Sequence, residues 1–170
     1  MAVDAFLEFD AGANIKGESA DSQHGKGKGD SLQIDSFSFS AEVPASAEQG
    51  TGLGAGKMKF NEFSFKSKVS TASHAVFKNL TLGTHIPQAK LYLRKSGGGD
   101  KTGQKDFMIY TFKQLIITKY SLDGGSEDPV EDMAFAYTSL HIQYNVQDQA
   151  GKVTRFGSWG YDLKLNSGQE

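Results

Sequence analysis

Toward the end of the segment Met133 to Val146 the chain alternates strictly, with Leu140, Ile142, Tyr144 and Val146 in one phase and His141, Gln143 and Asn145 in the other. A period of two sends one set to each face of a pleated ribbon, the pattern of a half-buried β-strand. Similar runs occur at Ala5 to Phe9, Ser31 to Val43, Lys57 to Lys66, Ala89 to Lys95, Asp106 to Tyr120 and Lys152 to Leu163. Twice the phase changes within a run. Leu32 and Ile34 share one parity, whereas Phe37, Phe39, Ala41 and Val43 share the other. Met58 and Phe60 are likewise out of phase with Phe63 and Phe65. A strand cannot change phase without an extra residue, which predicts bulges near Asp35 and Ser36 and near Asn61 and Glu62. Two bulges in facing strands curl a sheet toward closure.

One helix is expected, over about residues 70–82. Ser70 or Thr71 can cap its start, Val76, Phe77 and Leu80 form one apolar face, and Gly83 stops it. The fold class that follows is mainly β: a closed or nearly closed antiparallel β-barrel with one α-helix packed outside. With 12 Phe, 20 Gly and only 3 Pro, the composition suits strands joined by tight turns. Residues 1–170 read as a single domain, because no repeat of fixed period and no interior linker divides them.

The chain carries little that points to catalysis or to a cofactor. A net charge of −2 argues against a nucleic-acid binder. Lys26 and Lys28 are answered by Asp21 and Asp30 in a polar, Gly-rich loop, Asp10 to Lys28. There is no Cys, so disulfides and thiolate metal sites are absent. Gly56-Lys57 fails as a phosphate loop, with Thr51 in place of the first Gly and Met58 in place of the metal-binding hydroxyl. His24, His74, His85 and His141 lack metal-site spacing and read as surface or turn residues. Asp123, Glu127, Asp128, Glu131 and Asp132 read as solvated charge on an acidic loop. No nucleophile elbow is present. Catalytic, cofactor and metal residues are therefore expected to be none. The start Met1 to Asp4 has no signal-peptide pattern, and no run reaches the ~20 apolar residues of a membrane span. The reading is a chain made in the cytoplasm, which if exported leaves by a route independent of signal peptides.

Several segments together resemble one family. They are Met1 to Asp4, Ile15 to Ser19 with Asp21 and His24, Gly54 to Lys57, Gly83 to Leu91 with its His85-Ile86-Pro87, Leu93 to Lys95, and Phe156-Gly157 followed by Ser158-Trp159. This set is similar to the haemolysin-coregulated protein (Hcp) family of type VI secretion systems, over nearly the whole length. Phe37 and Phe39 stand where that family often has Trp, residues 10–14 look slightly extended, and the segment 45–54 carries Glu48. The resemblance implies hexameric rings that stack into the inner tube of a contractile machine, meet its sheath and spike proteins, and are exported through it. In some members it also implies a lumen that holds small effectors.

Two sets of residues become candidates. Ser36, Ser38 and Ser40 form a stripe of small hydroxyls opposite the Phe37 and Phe39 face, with Asp35 beside it; the four are expected to line or border a wet lumen, with Ser38 the best single candidate for cargo contact. The low-complexity segment Ala45 to Gly56 reads as a flexible loop on the ring rim. Its Glu48, Gln49, Gly50, Thr51, Gly52, Leu53 and Gly54 are the candidates for ring stacking. The alternative is a monomeric β-barrel that binds a small ligand or glycan through Tyr92, Tyr110 and Trp159. Mass in solution separates the two.

Overall fold

The structure is a computed structural model that describes residues 3–25, 27–48, 52–95, 105–125, 127–148 and 152–170, apart from the side chains of 46–48 and 52–55. It is mainly β with a single α-helix among the described residues. Among the described residues, no helix is long and apolar enough to cross a membrane.

The longest strand, β10 (Asp106–Asp123), organises the rest. Its first half pairs on one edge with β9 (Ile86–Lys95) and on the other with β12 (Ser139–Gln147). Its second half pairs with β11 (Val130–Ala136), across a register shift between Ile117 and Lys119. β1 (Val3–Phe9) lies antiparallel to β9 and also pairs with the short β2 (Leu32–Ile34). β8 (Phe63–Lys68) pairs with β11 and with β3 (Ser36–Ser38). Beyond β12 come β13 (Val153–Asp162) and β14 (Ser167–Gln169).

Both phase changes are places where the chain changes ladders. Up to Ile34 it pairs with β1, with Leu32 and Ile34 buried. At Asp35, whose N–H donates to the Lys66 carbonyl at 2.8 Å, it passes to β8. Asn61 and Glu62 separate β8 from the short β7 (Lys59–Phe60) in the same way, and the Asn61 N–H donates to the Ser40 carbonyl at 2.9 Å. Neither is the simple bulge the alternation predicts. A break frees each half to keep its own phase, because each half answers to a different partner.

The core is built from inward-facing aromatics. Phe63, Phe65, Phe112 and Phe135 are fully buried with Leu7, Ile86, Leu91 and Leu115. Phe63 lies 4.9 Å from Phe112 and 5.0 Å from Phe135, ring centre to ring centre. Burying each such ring contributes about 1.5–3 kcal/mol. The Phe37 and Phe39 face belongs to this core only in part. Phe39 is half-buried against Phe63, Tyr110 and Phe112, whereas Phe37 sits at the margin, and Ala41 and Val43 are exposed.

The helix α1 spans Ser73–Leu82, not 70–82. The residues before it form a turn in which the Ser70 N–H donates to Ser73 Oγ at 3.0 Å. Its buried face is Ala72, Ala75, Val76 and Asn79, while Phe77 is exposed and Leu80 only half-buried. Small alanines allow a close approach to the sheet that Phe77 would block. Asn79 Nδ2 donates to the Ala13 carbonyl at 3.0 Å, tying the helix to the turn after β1. Gly83 ends α1 in the left-handed conformation, at φ 59°.

The segment expected to be a flexible loop is a two-stranded ribbon. β4 (Ala41–Glu42) pairs with β7, and β5 (Ala45–Glu48) pairs with β6 (Gly52–Ala55). The Gly56 N–H bonds the Pro44 carbonyl at 2.7 Å between the two ladders. Its Gly and Ala content hides a regular backbone ladder, which needs no large side chains.

His24, expected at the surface or in a turn, is buried, and so is Arg94. His24 lies between the rings of Phe6 and Tyr92, at 4.9 and 4.4 Å, and its Nε2 meets both carboxylate oxygens of Asp106 at 3.0–3.1 Å. Arg94, 1% exposed, holds Asp21 at 2.8 Å, Asp106 at 3.3 Å and Gln23 Oε1 at 3.0 Å. This cluster pins the connection between β1 and β2 onto β9. Burial pushes the Asp21 carboxyl up, but the N–H groups of Gln23 and His24 and the Arg94 guanidinium outweigh it and hold it below the usual range. Its contribution is complete above the unfolded value of about 3.9 and is lost as pH falls through the lower folded value. Glu131 is not part of a solvated loop either. Buried in β11, it accepts the Tyr120 hydroxyl at 2.6 Å and Ser73 Oγ at 2.8 Å, anchoring the start of α1. The bond to Glu131, with burial, pushes the Tyr120 hydroxyl up to about 12.

Candidate assembly surfaces

The polar stripe is the outward parity of β3. Ser36 lies opposite Lys66 and Ser38 opposite Ser64, while Phe37 between them faces Phe65. Ser64 Oγ donates to the Ser38 carbonyl at 3.4 Å. The same face continues onto β11 and β10, where Lys119 Nζ and Asp132 Oδ2 pair at 2.8 Å. Ser36, Ser38, Ser64, Lys66, Lys119 and Asp132 therefore share one shallow groove, floored by Phe37 and Phe65. Ser36 and Ser38 are exposed.

The four predicted lumen residues are not one surface. Asp35, at the ladder switch, borders a separate hollow with Glu18, Lys68 and Val69. Ser40 lies past β3 at the base of the ribbon, where its hydroxyl accepts from Asn61 Nδ2. Sequence reasoning passed over Ser64 and Lys66, although their alternation with Phe63 and Phe65 marks them as the same wall. Lys119 and Asp132 carry no such local signal, since only strand pairing brings them to Ser38.

Among the stacking candidates, Glu48, Gly52, Leu53 and Gly54 lie in the β5–β6 ladder. Gln49, Gly50 and Thr51 lie outside the described residues. Among the described residues, no group of three or more His, Asp or Glu could hold a metal ion.

A third surface went unpredicted. The core face of β10, with Tyr110 and Phe112, continues across β12 and β13, where Phe112 pairs with Leu140, Tyr110 with Ile142 and Ile142 with Trp159. Leu140 is buried, but Ile142, Tyr144 and Val146 are exposed, as are Trp159 at 59% and Phe156 at 79%. Tyr144 and Phe156 meet edge to face at 6.3 Å. The alternation that announced β12 marks these residues as inward-facing. β12 and β13 carry this apolar face past the buried core, where most of its side-chain surface is left open.

Comparison with known proteins agrees with this architecture. The sequence model of the family described as "Type VI secretion system effector, Hcp" matches residues 6–144. Protein hcp1 of Pseudomonas aeruginosa is 35% identical over 169 residues, 98% of each chain. A solved chain described as "Structure of a type six secretion system protein" superposes with a TM-score of 0.85 at 28% identity, covering 99% of this chain and 100% of that one. Hcp1 from Salmonella typhimurium superposes with a TM-score of 0.76, also at 28% identity, again over 99% of this chain and 100% of the other. The chain belongs to the Hcp family of type VI secretion system proteins.

Proposed function

We propose that this protein is a structural subunit of the inner tube of a type VI secretion apparatus, forming hexameric rings that stack and are exported, and that it carries out no catalysis. The carrying observation is the uncovered apolar strip of β12 and β13. A monomer rarely leaves such a continuous patch in water, and here it is the continuation of the subunit's own core face. The occupant that fits is a second copy. A ring also needs two unlike edges that meet head to tail. Among the described residues, β3 has one edge unpaired, as does β13 from Val153 to Trp159. The number six comes from the family.

Closure of the sheet into a barrel is part of the same reading. It is supported by residues 32–38, which pair with β1 before Asp35 and with β8 after it. β1, β9, β10, β11 and β8 pair in that order, the chain from β2 to β3 links the two ends, and on this reading residues 1–170 act as one Hcp-like domain. Light scattering of the purified protein tests the ring. A mass several times 18.4 kDa supports it, and monomer alone at high concentration refutes it.

The groove around Ser38 is proposed as the lumen wall and cargo contact, with Ser36 beside it and Asp35 and Ser40 bordering it. Its hydroxyls offer both donors and acceptors at a wet surface. Ser38→Arg should leave the ring intact, because no buried group is disturbed, and lower retention of small effectors carried inside. A ring structure with Ser38 on its outer wall would refute this assignment.

The β5–β6 ribbon is proposed as the stacking element. An isolated two-stranded ribbon is marginal in water, so contact with the next ring would stabilise it. Deleting Glu48 to Gly54 is expected to leave rings intact but to impair tube assembly and secretion. Unchanged secretion would count against it. The sheath, the spike and small effectors in the lumen are the partners this reading implies, and export through the apparatus follows from it.

A further inference from the structure

The chain ends in a built turn and a short strand. After β13, Asp162 Oδ1 accepts the N–H of Lys164 at 2.7 Å and of Leu165 at 3.1 Å. Asn166 takes φ 51°, and its Oδ1 accepts the Tyr161 hydroxyl at 2.8 Å. β14 then lies antiparallel on β13, with Gly168 opposite Tyr161 and Gln169 opposite Gly160. The ring of Trp159 rests on Gly168. A Cβ at position 168 would come within 2.3 Å of Trp159 Cζ2, 2.9 Å of Cε2 and 3.1 Å of Cη2.

Glycine is a poor strand residue, and its presence in one marks either an unusual backbone or a close approach. Gly168 is not among the glycines with positive φ, so the backbone does not demand it. The indole does. Trp159 is thus seated on bare backbone while most of its surface stays exposed. A large side chain on an open strand normally samples several rotamers and loses that freedom on binding. Seating the ring beforehand removes part of that cost.

We propose that β14 is a preorganising platform for the subunit contact, and that Gly168 is a positioning residue which sets the orientation in which Trp159 meets the next copy. The proposal rests on the reading of the β12–β13 strip as the ring interface. Trp159 is the single Trp of the chain, so its fluorescence reports this contact alone.

The test compares Gly168→Val, a chain ending at Asn166, and Trp159→Ala with the parent protein. Trp159 emission and anisotropy are read at dilutions where the parent is monomeric. Mass is then followed against concentration by light scattering. Gly168→Val and the truncated chain should change Trp159 anisotropy with little loss of far-UV circular dichroism. Both should raise the concentration for half-maximal ring formation about tenfold or more, as expected for a central aromatic contact. Altered fluorescence with an unchanged midpoint would overturn the platform, as would unaltered fluorescence in Gly168→Val. If Gly168→Val does not fold, the truncated chain decides, and loss of folding in both makes β14 part of the fold and overturns the proposal. Trp159→Ala separates the two levels: an unchanged midpoint there sinks the interface reading itself, whereas weakening there with none in Gly168→Val or the truncated chain sinks only the platform.

Discussion

Ile142→Asp is expected to give a folded chain that no longer forms rings. Ile142 stands in the uncovered strip, opposite Tyr110 on one side and Trp159 on the other, and is 36% exposed. In the free subunit a carboxylate there can reach water. Against a second copy it would be buried without a partner, at a cost of about 3–5 kcal/mol per contact. A ring repeats that cost at every interface, so the shift from ring to 18.4 kDa monomer should be nearly complete. Light scattering with circular dichroism checks it. A ring of parental mass would show that the strip is covered by something other than a neighbouring subunit.

Arg94→Met should have the largest effect on the fold itself. Methionine has nearly the reach of arginine but none of its donors, so packing changes little while Asp21, Asp106 and Gln23 lose their shared partner. Asp21 and Asp106 are mostly shielded from water, at 18% and 15% side-chain exposure. Removing one member of such a cluster costs about 3–5 kcal/mol. Urea unfolding would register that loss, and hydrogen exchange should show residues 19–25 losing protection first, since Arg94, together with the His24–Tyr92 contact, holds them to β9. Adding Asp21→Asn to the variant should recover part of the stability, because it removes the carboxylate that loses its cation, whereas Asp106 keeps His24. A loss below about 1 kcal/mol would mean the cluster contributes little beyond its packing.

The strands and the helix stop were legible because both obey local rules. The alternation of Leu140 to Val146 identifies β12, and Gly83 ends α1 where a left-handed residue is needed. The buried charges were not legible for the opposite reason. His24 and Asp106, or Asp21 and Arg94, are far apart in sequence, and no spacing rule joins them. Phe77 misled because apolarity was read as burial. The small residues Ala72 and Ala75 set the contact face, since they let α1 approach the sheet. The β5–β6 ribbon was taken for a loop because backbone ladders carry no hydrophobic signature. Of the lumen candidates, Ser36 and Ser38 follow from alternation alone. Asp35 and Ser40 sit at a ladder switch and a ribbon base, which only the pairing partners decide.

The partner of β1 has a consequence for how the protein is made. Leu7 pairs with Leu91, so β1 waits for the residues between them to be made before its long ladder can form. Until then it has only the three residue pairs it makes with β2. Strand pairings this distant in sequence slow folding, because the loop between them must close before contacts reward it. During that interval the apolar inner faces of β1 and β8 and the unpaired edges of both are open to other nascent chains. The chain is thus most vulnerable to aggregation during synthesis. The yield of soluble subunit should therefore respond to translation rate and chaperone supply more than to the stability of the finished fold.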